Sequence, residues 1–334
     1  MGKLIRIGTR ESQLAVWQAT QVQQLLLQHQ FQSELVYIKS EGDIDLQTPL
    51  YEMGVQGIFT KSLDIALLNN KIDIAVHSMK DVPTQLAQGI AQASVLKRAS
   101  YKDLLVFKDS ETVNGEWSMV NEEISKLETP FTIHNSQLTV ATSSIRRKAQ
   151  WLNRFPNHTI ENLRGNVNTR LKKLEENNWH GAIFAAAGLE RIGLRPKNSI
   201  DLDWMLPAPA QGAIMVVCRE DDSFCLRACQ YFNDEHTAIC TKIERDFLRE
   251  LLGGCSTPIS ALAEIKNDNI IFKGNILSID GKEKVEVEKT IAINEAANFG
   301  KTAAAYLLNN GGQKIAENIR NAAKIISAYY AQGH

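Results

Sequence analysis

Cysteine is scarce in this sequence, and what there is does not pair. Five cysteines (218, 225, 229, 240 and 255) form an odd set with no Cys-x-x-Cys spacing, which argues against a disulfide framework and against a thiolate zinc site and suits reduced thiols. An excess of either charge is missing as well. Lys and Arg number 37 against 38 Asp and Glu, a formal net charge of −1, so no whole-molecule field recruits nucleic acid or an anionic membrane. Long apolar runs are absent. The longest, Gly181–Leu189 and Ala213–Cys218, fall far below the roughly 20 residues needed to span a bilayer. No secretory apolar segment follows Met1, and Arg6 stands where a myristoylation signal wants Ser or Thr, so a cytoplasmic protein is expected. There is no Gly-x4-Gly-Lys-Ser/Thr phosphate loop, no internal repeat and no low-complexity tract.

What is present is a long chain with ordinary apolar content. Its 334 residues, 44% hydrophobic, suffice for two or three domains with real cores. The first hundred residues alternate short β-rich runs with amphipathic stretches: strand Leu4–Gly8, helix Ser12–His29 capped by Ser12, strand Leu35–Lys39, helix Phe59–Asn69 and buried strand Ile72–Val76. Between them Glu41–Gln56, with Gly42, Pro49 and Gly54, reads as a mobile surface loop. A second α/β block has strands Leu104–Phe107, Leu138–Ala141, Thr159–Leu163 and Ala182–Ala186. The last three run into helical stretches Ser144–Leu152, Val167–Asn177 and Leu189–Ile192. Val113–Gln137 reads as an elaborated surface connection. Buried strand Ala213–Cys218 is placed to return to the first sheet. From Asp221 two helices, three strands (Ile259–Ile265, Ile270–Ile279, Val285–Ile293) and a helical tail make an α+β third domain. The expected domains are 1–99 with 213–230, 100–212 and 231–334.

Open α/β sheets bind ligands beyond the carboxyl ends of their strands, where helix N-termini favour anions. Basic residues gather at those positions. Arg10 follows the first strand, Arg146 and Arg147 follow Leu138–Ala141, Arg164 and Arg170 follow Thr159–Leu163, and Arg191 follows Ala182–Ala186. Val140–Ile200 holds eleven Lys and Arg against four Asp and Glu, a surplus of seven in a chain of −1. One arginine at a helix start is ordinarily a solvated surface charge. Four strand ends loaded alike point to a polyanionic ligand, and arginine's planar fork selects carboxylate or phosphate. Nucleic acid is not expected, since Trp151 and Phe155 read as core-facing helix positions and not as stacking platforms.

Buried strand Ile72–Val76 ends in His77-Ser78-Met79-Lys80-Asp81-Val82-Pro83. An acidic residue there is either a counter-ion to the arginines or a catalytic group for a cation. His77 is more simply a hydrogen-bonded core histidine than a general base. Four cysteines occupy helix or strand positions that suit a small hydrophobe, whereas Cys255 follows Gly253-Gly254 and precedes Ser256-Thr257-Pro258, a loop where a thiol can be reached.

Six segments then fall into one order: His77 to Pro83, Ala141-Thr142-Ser143-Ser144-Ile145-Arg146-Arg147, Leu163-Arg164-Gly165-Asn166-Val167-Asn168-Thr169-Arg170, Ala187-Gly188-Leu189-Glu190-Arg191, Pro209-Ala210-Gln211-Gly212 and Gly253-Gly254-Cys255. Together they resemble the porphobilinogen deaminase (hydroxymethylbilane synthase) family over nearly the whole chain. The resemblance implies two periplasmic-binding-protein-like α/β lobes and a smaller α+β domain. It implies condensation of four porphobilinogen molecules with loss of ammonia, on a dipyrromethane cofactor joined by a thioether to Cys255. Asp81 is then the catalytic carboxylate. Cofactor contacts fall to Lys80, Ser12, Thr142, Ser144 (also a helix cap), Arg146, Arg147, Arg164 and Gly188, and substrate contacts to Arg10, Arg147, Arg170, Arg191, Gln18 and Phe59. No metal, nucleic acid or membrane is expected, and a monomer is. One departure stands out: Glu52 and Gln56 hold places that carry lysines in many relatives. The competing reading is a non-catalytic two-lobed polycarboxylate-binding protein, for which neither Asp81 nor a reachable Cys255 is needed.

Overall fold

The computed structural model describes residues 3–39, 60–108, 137–251 and 257–321. Phe59, Cys255, the loop positions Glu52 and Gln56, and nearly all of the expected surface connection lie outside the described residues.

Three sheets organise the described residues. The first runs β2 (Ser33–Tyr37), β1 (Ile5–Thr9), β3 (Ile74–Ser78), β10 (Ile214–Arg219), β4 (Ile90–Val95). Its first three strands are parallel and β10 lies antiparallel between β3 and β4. The second repeats the scheme: β7 (Thr159–Glu161), β6 (Thr139–Ala141), β8 (Gly181–Ala185), β5 (Asp103–Phe107), β9 (Ser199–Asp201), with β5 the antiparallel insertion. The third is an antiparallel meander of β11 (Ile259–Lys266), β12 (Asn269–Leu277) and β13 (Lys284–Ala292). The expected return of the 213–218 strand to the first sheet is found, so the chain crosses between the two α/β sheets twice, over 96–102 and 202–213.

The helices follow from their apolar spacing. In α1 (Gln13–Gln28) the buried Ala19, Val22 and Leu26 stand three and four apart and press on Ile5, Ile7, Ile74 and Val76 of the sheet. On the opposite face α2 (Lys61–Leu68) buries Leu63, Ala66 and Leu67 against Ala75 and Met215. The second lobe carries α3 (Ile145–Arg154), α4 (Val167–Glu176) and the short α5 (Ala186–Glu190), which begins three residues before the expected Leu189. After β10 come α6 (Ser223–Gln230) and α7 (Glu235–Leu251), and α7 packs with α8 (Phe299–Leu307) on the meander around Phe247 and Phe272. Cys218, Cys225 and Cys229 are fully buried in the first-lobe core. Burial pushes the Cys218 thiol up to about 11 and the Cys225 thiol up to about 12, leaving both as inert apolar groups.

Strands β4 and β9 lie outside the strands expected from the sequence. Both are sheet edges; β4 is Ala-, Gln- and Ser-containing and β9 is three residues long, so neither carries a β-branched alternating pattern. The cap of α1 also differs from expectation. Ser12 occupies the cap position but its side chain makes no capping bond, whereas Ser144 caps α3 by accepting from the Arg147 N–H at 3.4 Å.

Candidate active site

The carboxyl ends of both α/β sheets deliver their side chains to one cleft. From the second lobe, α3 begins immediately after β6 and brings Arg146 and Arg147 in on consecutive residues, both buried. Buried Asp103, at the start of β5, meets them: Arg147 donates from Nε at 3.0 Å and Nη2 at 2.8 Å to Oδ1, and Arg146 Nη2 lies 2.7 Å from Oδ2. Despite the cost of burial, the two guanidinium groups hold the Asp103 carboxyl down at about 2. Arg147 also donates to the Ile183 carbonyl at 2.9 Å and Arg146 to that of Leu206 at 2.8 Å, while Arg146 Nε is buried with no hydrogen-bond partner among the described residues. The Thr142 hydroxyl, also buried, accepts the Ser144 N–H at 3.2 Å.

Arg164 is buried after β7. Arg170, half-buried on α4, donates Nε to the Gly165 carbonyl at 2.7 Å. Gly165 sits at φ +115°, a backbone that side chains resist. Burial first, then the positive charges of Arg147 and Arg164, lower the Arg170 pKa to about 10, with Asp81 acting the other way. That mutual influence places Arg147, Arg164, Arg170 and Asp81 in one electrostatic cluster.

The first lobe supplies the carboxylate. Strand β3 runs into a single helical turn, Met79–Asp81. Lys80 on it donates to Gln211 Oε1 at 3.4 Å. Burial lowers its pKa to about 8; Arg147 and Arg146 push the same way, against Asp81 and Asp103. Asp81 itself is exposed and makes no direct ion pair among the described residues. It lines a pocket with Arg10, Ser12, Gln18, Thr60 and His77. The Ser12 hydroxyl, not spent on capping, therefore lies at this pocket. Gln18 is buried and exchanges hydrogen bonds with Ser78 at 2.9 and 3.3 Å. His77 is buried as expected, but its Nε2 has no hydrogen-bond partner among the described residues, and burial together with Arg10 lowers its pKa to about 4, so the ring is neutral near pH 7.

The lobes touch across the cleft. Asn168 on α4 donates to Gln13 on α1 at 3.0 Å, and a Cβ built on Gly188 would meet only Leu14, at 3.9 Å. Arg191 lies nearer the crossing segments than the cluster: Nη2 donates to the Gly212 carbonyl at 2.6 Å and the guanidinium stands 5.7 Å from the Trp17 ring. Two participants were not among the expected site residues, Asp103 and Gln211. Gln211 is fully buried and bonds the Tyr101 carbonyl at 2.7 Å and Asp103 at 2.9 Å, joining Lys80 to the arginine pair. Neither lies on a periodic pattern that marks a site, though Gln211 belongs to the Pro209–Gly212 segment.

Among the described residues around this cleft, four cations (Lys80, Arg146, Arg147, Arg170) act on one another and on two carboxylates (Asp81, Asp103). Burying surplus positive charge is costly, so the arrangement is built for a ligand with several anionic groups close together.

Known proteins resemble this chain along most of its length. Residues 5–227 match the family model described as porphobilinogen deaminase, dipyromethane cofactor binding domain, and residues 238–309 match porphobilinogen deaminase, C-terminal domain. The porphobilinogen deaminase of Desulforamulus reducens is 38% identical over 320 residues, covering 95% of this chain and 98% of the relative. That of Pelobacter propionicus is 36% identical over 319 residues, 94% of this chain and 97% of the relative. Among solved structures, the methionine binding protein MetQ is similar at TM-score 0.40 and 15% identity, over 70% of this chain and 92% of that one.

Proposed function

The chain belongs to the porphobilinogen deaminase family, and on that premise we propose that it acts as a hydroxymethylbilane synthase, joining four porphobilinogen molecules head to tail with loss of ammonia. The observation that carries the reading is the gathering of cations, with Arg146 and Arg147 buried and Lys80 and Arg170 half-buried, around one exposed carboxylate among the described residues. Each porphobilinogen brings an acetate and a propionate, so a growing pyrrole chain is a polycarboxylate and neutralises that surplus.

The residues fit a dipyrromethane. Among the described residues Arg146 keeps a buried Nε without a partner, and Gly188 leaves the space opposite Leu14 that a side chain would fill. Arg146, Arg164, Lys80, Thr142 and Ser144 would hold its carboxylates, with Cys255 as the covalent attachment. When bound, that group supplies the free pyrrole position on which the product grows. Arg10, Ser12 and Arg170 orient the incoming monomer by its carboxylates. Arg147, engaged by Asp103, contributes positive potential and fixes the start of α3. With the aminomethyl nitrogen protonated, breaking its C–N bond sends the bonding electron pair out with ammonia and leaves a cation spread over the pyrrole. The Asp81 carboxylate stabilises it, and again stabilises the attacking ring before that ring loses its proton. The rival, a binding protein without catalysis, gives Asp81 no task.

The test is the intact mass of the purified protein, which should exceed the sequence mass by one dipyrrole, together with production of hydroxymethylbilane. Cys255→Ser should fold without the added mass, since a hydroxyl is a far weaker nucleophile than a thiolate. Asp81→Asn should load normally and lose about 10²-fold or more in turnover. An unmodified wild-type mass with no product overturns the enzyme reading, and a loaded Cys255→Ser protein overturns the choice of thiol.

A further inference from the structure

The turn that carries Asp81 is held from outside its own lobe. Arg245, on α7 beside the third sheet, is buried at 7% exposure. Its Nη1 donates to the carbonyls of Met79 at 3.3 Å and Val82 at 2.9 Å, and its Nη2 to that of Pro83 at 2.6 Å. Three carbonyls converging on one point repel one another unless a cation with several donors sits among them, and a guanidinium fork meets that need where an ammonium's compact point charge does not. On the other side the Met79 N–H donates to the Ala213 carbonyl of the returning chain at 3.0 Å. Asp81 lies inside the gripped segment yet has no ion-pair partner of its own among the described residues. Its carboxylate is therefore placed by the backbone and not by side-chain contacts.

The position of Arg245 is itself fixed. Its neighbour Glu244, fully buried, takes Arg98 Nη1 at 2.6 Å, the Ala210 N–H at 2.6 Å and the Ala263 N–H at 2.8 Å. One turn of α7 thus grips both crossing segments, the third sheet and the Met79–Pro83 turn.

We infer that Arg245 is a positioning residue for Asp81, gathering the carbonyls of Met79, Val82 and Pro83 so that the third domain holds the carboxylate of the first lobe in register with the cleft. The catalytic half of this inference rests on the deaminase reading; the mechanical half does not. The test uses the full-length, cofactor-loaded protein with Arg245→Lys and Arg245→Ala. Hydrogen exchange at Lys80 to Val82 should quicken about tenfold or more in both while exchange in the β-strands of the second lobe stays unchanged. In the deaminase assay kcat should fall about tenfold or more, with any rise in KM smaller than that fall, because Arg10 and Arg170 lie outside the gripped turn while Asp81 and Lys80 move with it. Millimolar guanidinium, but not equal urea, should restore part of the Arg245→Ala rate, a response that loss of overall stability does not give. Should Arg245→Ala fail to accumulate, Arg245→Lys decides by the same exchange and kcat readings. Unchanged exchange at Lys80 to Val82, or kcat within about threefold of wild type in Arg245→Lys, overturns the inference. Inactive wild-type protein would overturn the deaminase reading and leave the exchange measurement to decide the grip.

Discussion

Two regions of this molecule bury charge, and they settle it in opposite ways. At the crossing of the two lobes every acceptor of Glu244 is used: Oε1 receives Arg98 Nη1 and the Ala263 N–H, and Oε2 receives Arg98 Nη2 at 3.1 Å and the Ala210 N–H. One cation meets one anion and two backbone groups complete the set. In the cleft one carboxylate, Asp103, serves two arginines, a buried Arg146 Nε goes without a partner among the described residues, and Arg170 and Lys80 have their pKa values lowered by burial and by like charge. The fold neutralises charge where it needs stiffness and leaves it uncompensated where a ligand is to complete it. A buried ion pair is thus no single kind of evidence: what distinguishes structure from site is whether the sum closes without a ligand.

The comparison breaks most readily at Glu244. Glu244→Ala should cost about 3–5 kcal/mol in urea unfolding, because a largely buried Arg98 side chain and two N–H groups lose the same fully buried carboxylate together. Arg147→Ala should cost less, about 1–3 kcal/mol, since Asp103 loses two donors but keeps Arg146 and Gln211; a loss below about 1 kcal/mol from Glu244→Ala would show that its pairing does not hold the fold. Arg170→Ala should do the reverse. Among the described residues its guanidinium bonds a backbone carbonyl and no carboxylate, so unfolding should change little while substrate binding weakens by about 1.5–3 kcal/mol, seen as a rise in KM. A destabilised Arg170→Ala with unchanged KM would move Arg170 to the structural class.

The smallest effect is a pH dependence. With its pKa lowered from the usual 10.5 to about 8, Lys80 loses its charge as pH rises through 8, so KM for a carboxylate-bearing substrate should climb a few-fold between pH 7 and 9.5, and Lys80→Met should flatten that rise. The stability sign is opposite. Between about 8 and 10.5 the unfolded chain binds the lysine proton and the folded chain does not, so the penalty of burying the ammonium, constant below 8, is relieved as pH rises. A KM independent of pH across that interval would remove Lys80 from carboxylate binding.

Much of this is legible in the sequence itself. The alternation of β-rich and amphipathic stretches and six ordered segments gave the α/β architecture that the sheets show, and arginines massed after strand ends pointed to a polyanionic ligand expected beyond those ends. Local chemistry reads well because helix and strand periods and caps act within a few residues: Ser144 caps α3 as its position implies, and the core cysteines behave as small apolar groups. What the sequence left undecided were the partners across the fold. That Arg147 belongs to Asp103, 44 residues earlier, that Gln18 is locked to Ser78, that Arg191 turns to Gly212, and that Arg245 holds the turn of Asp81 depend on which chain segments meet. Spacing along a chain says which face a residue occupies, but a charge chooses its counter-charge through space. Only the tertiary structure therefore decided which cations are spent on the fold and which are left for the ligand.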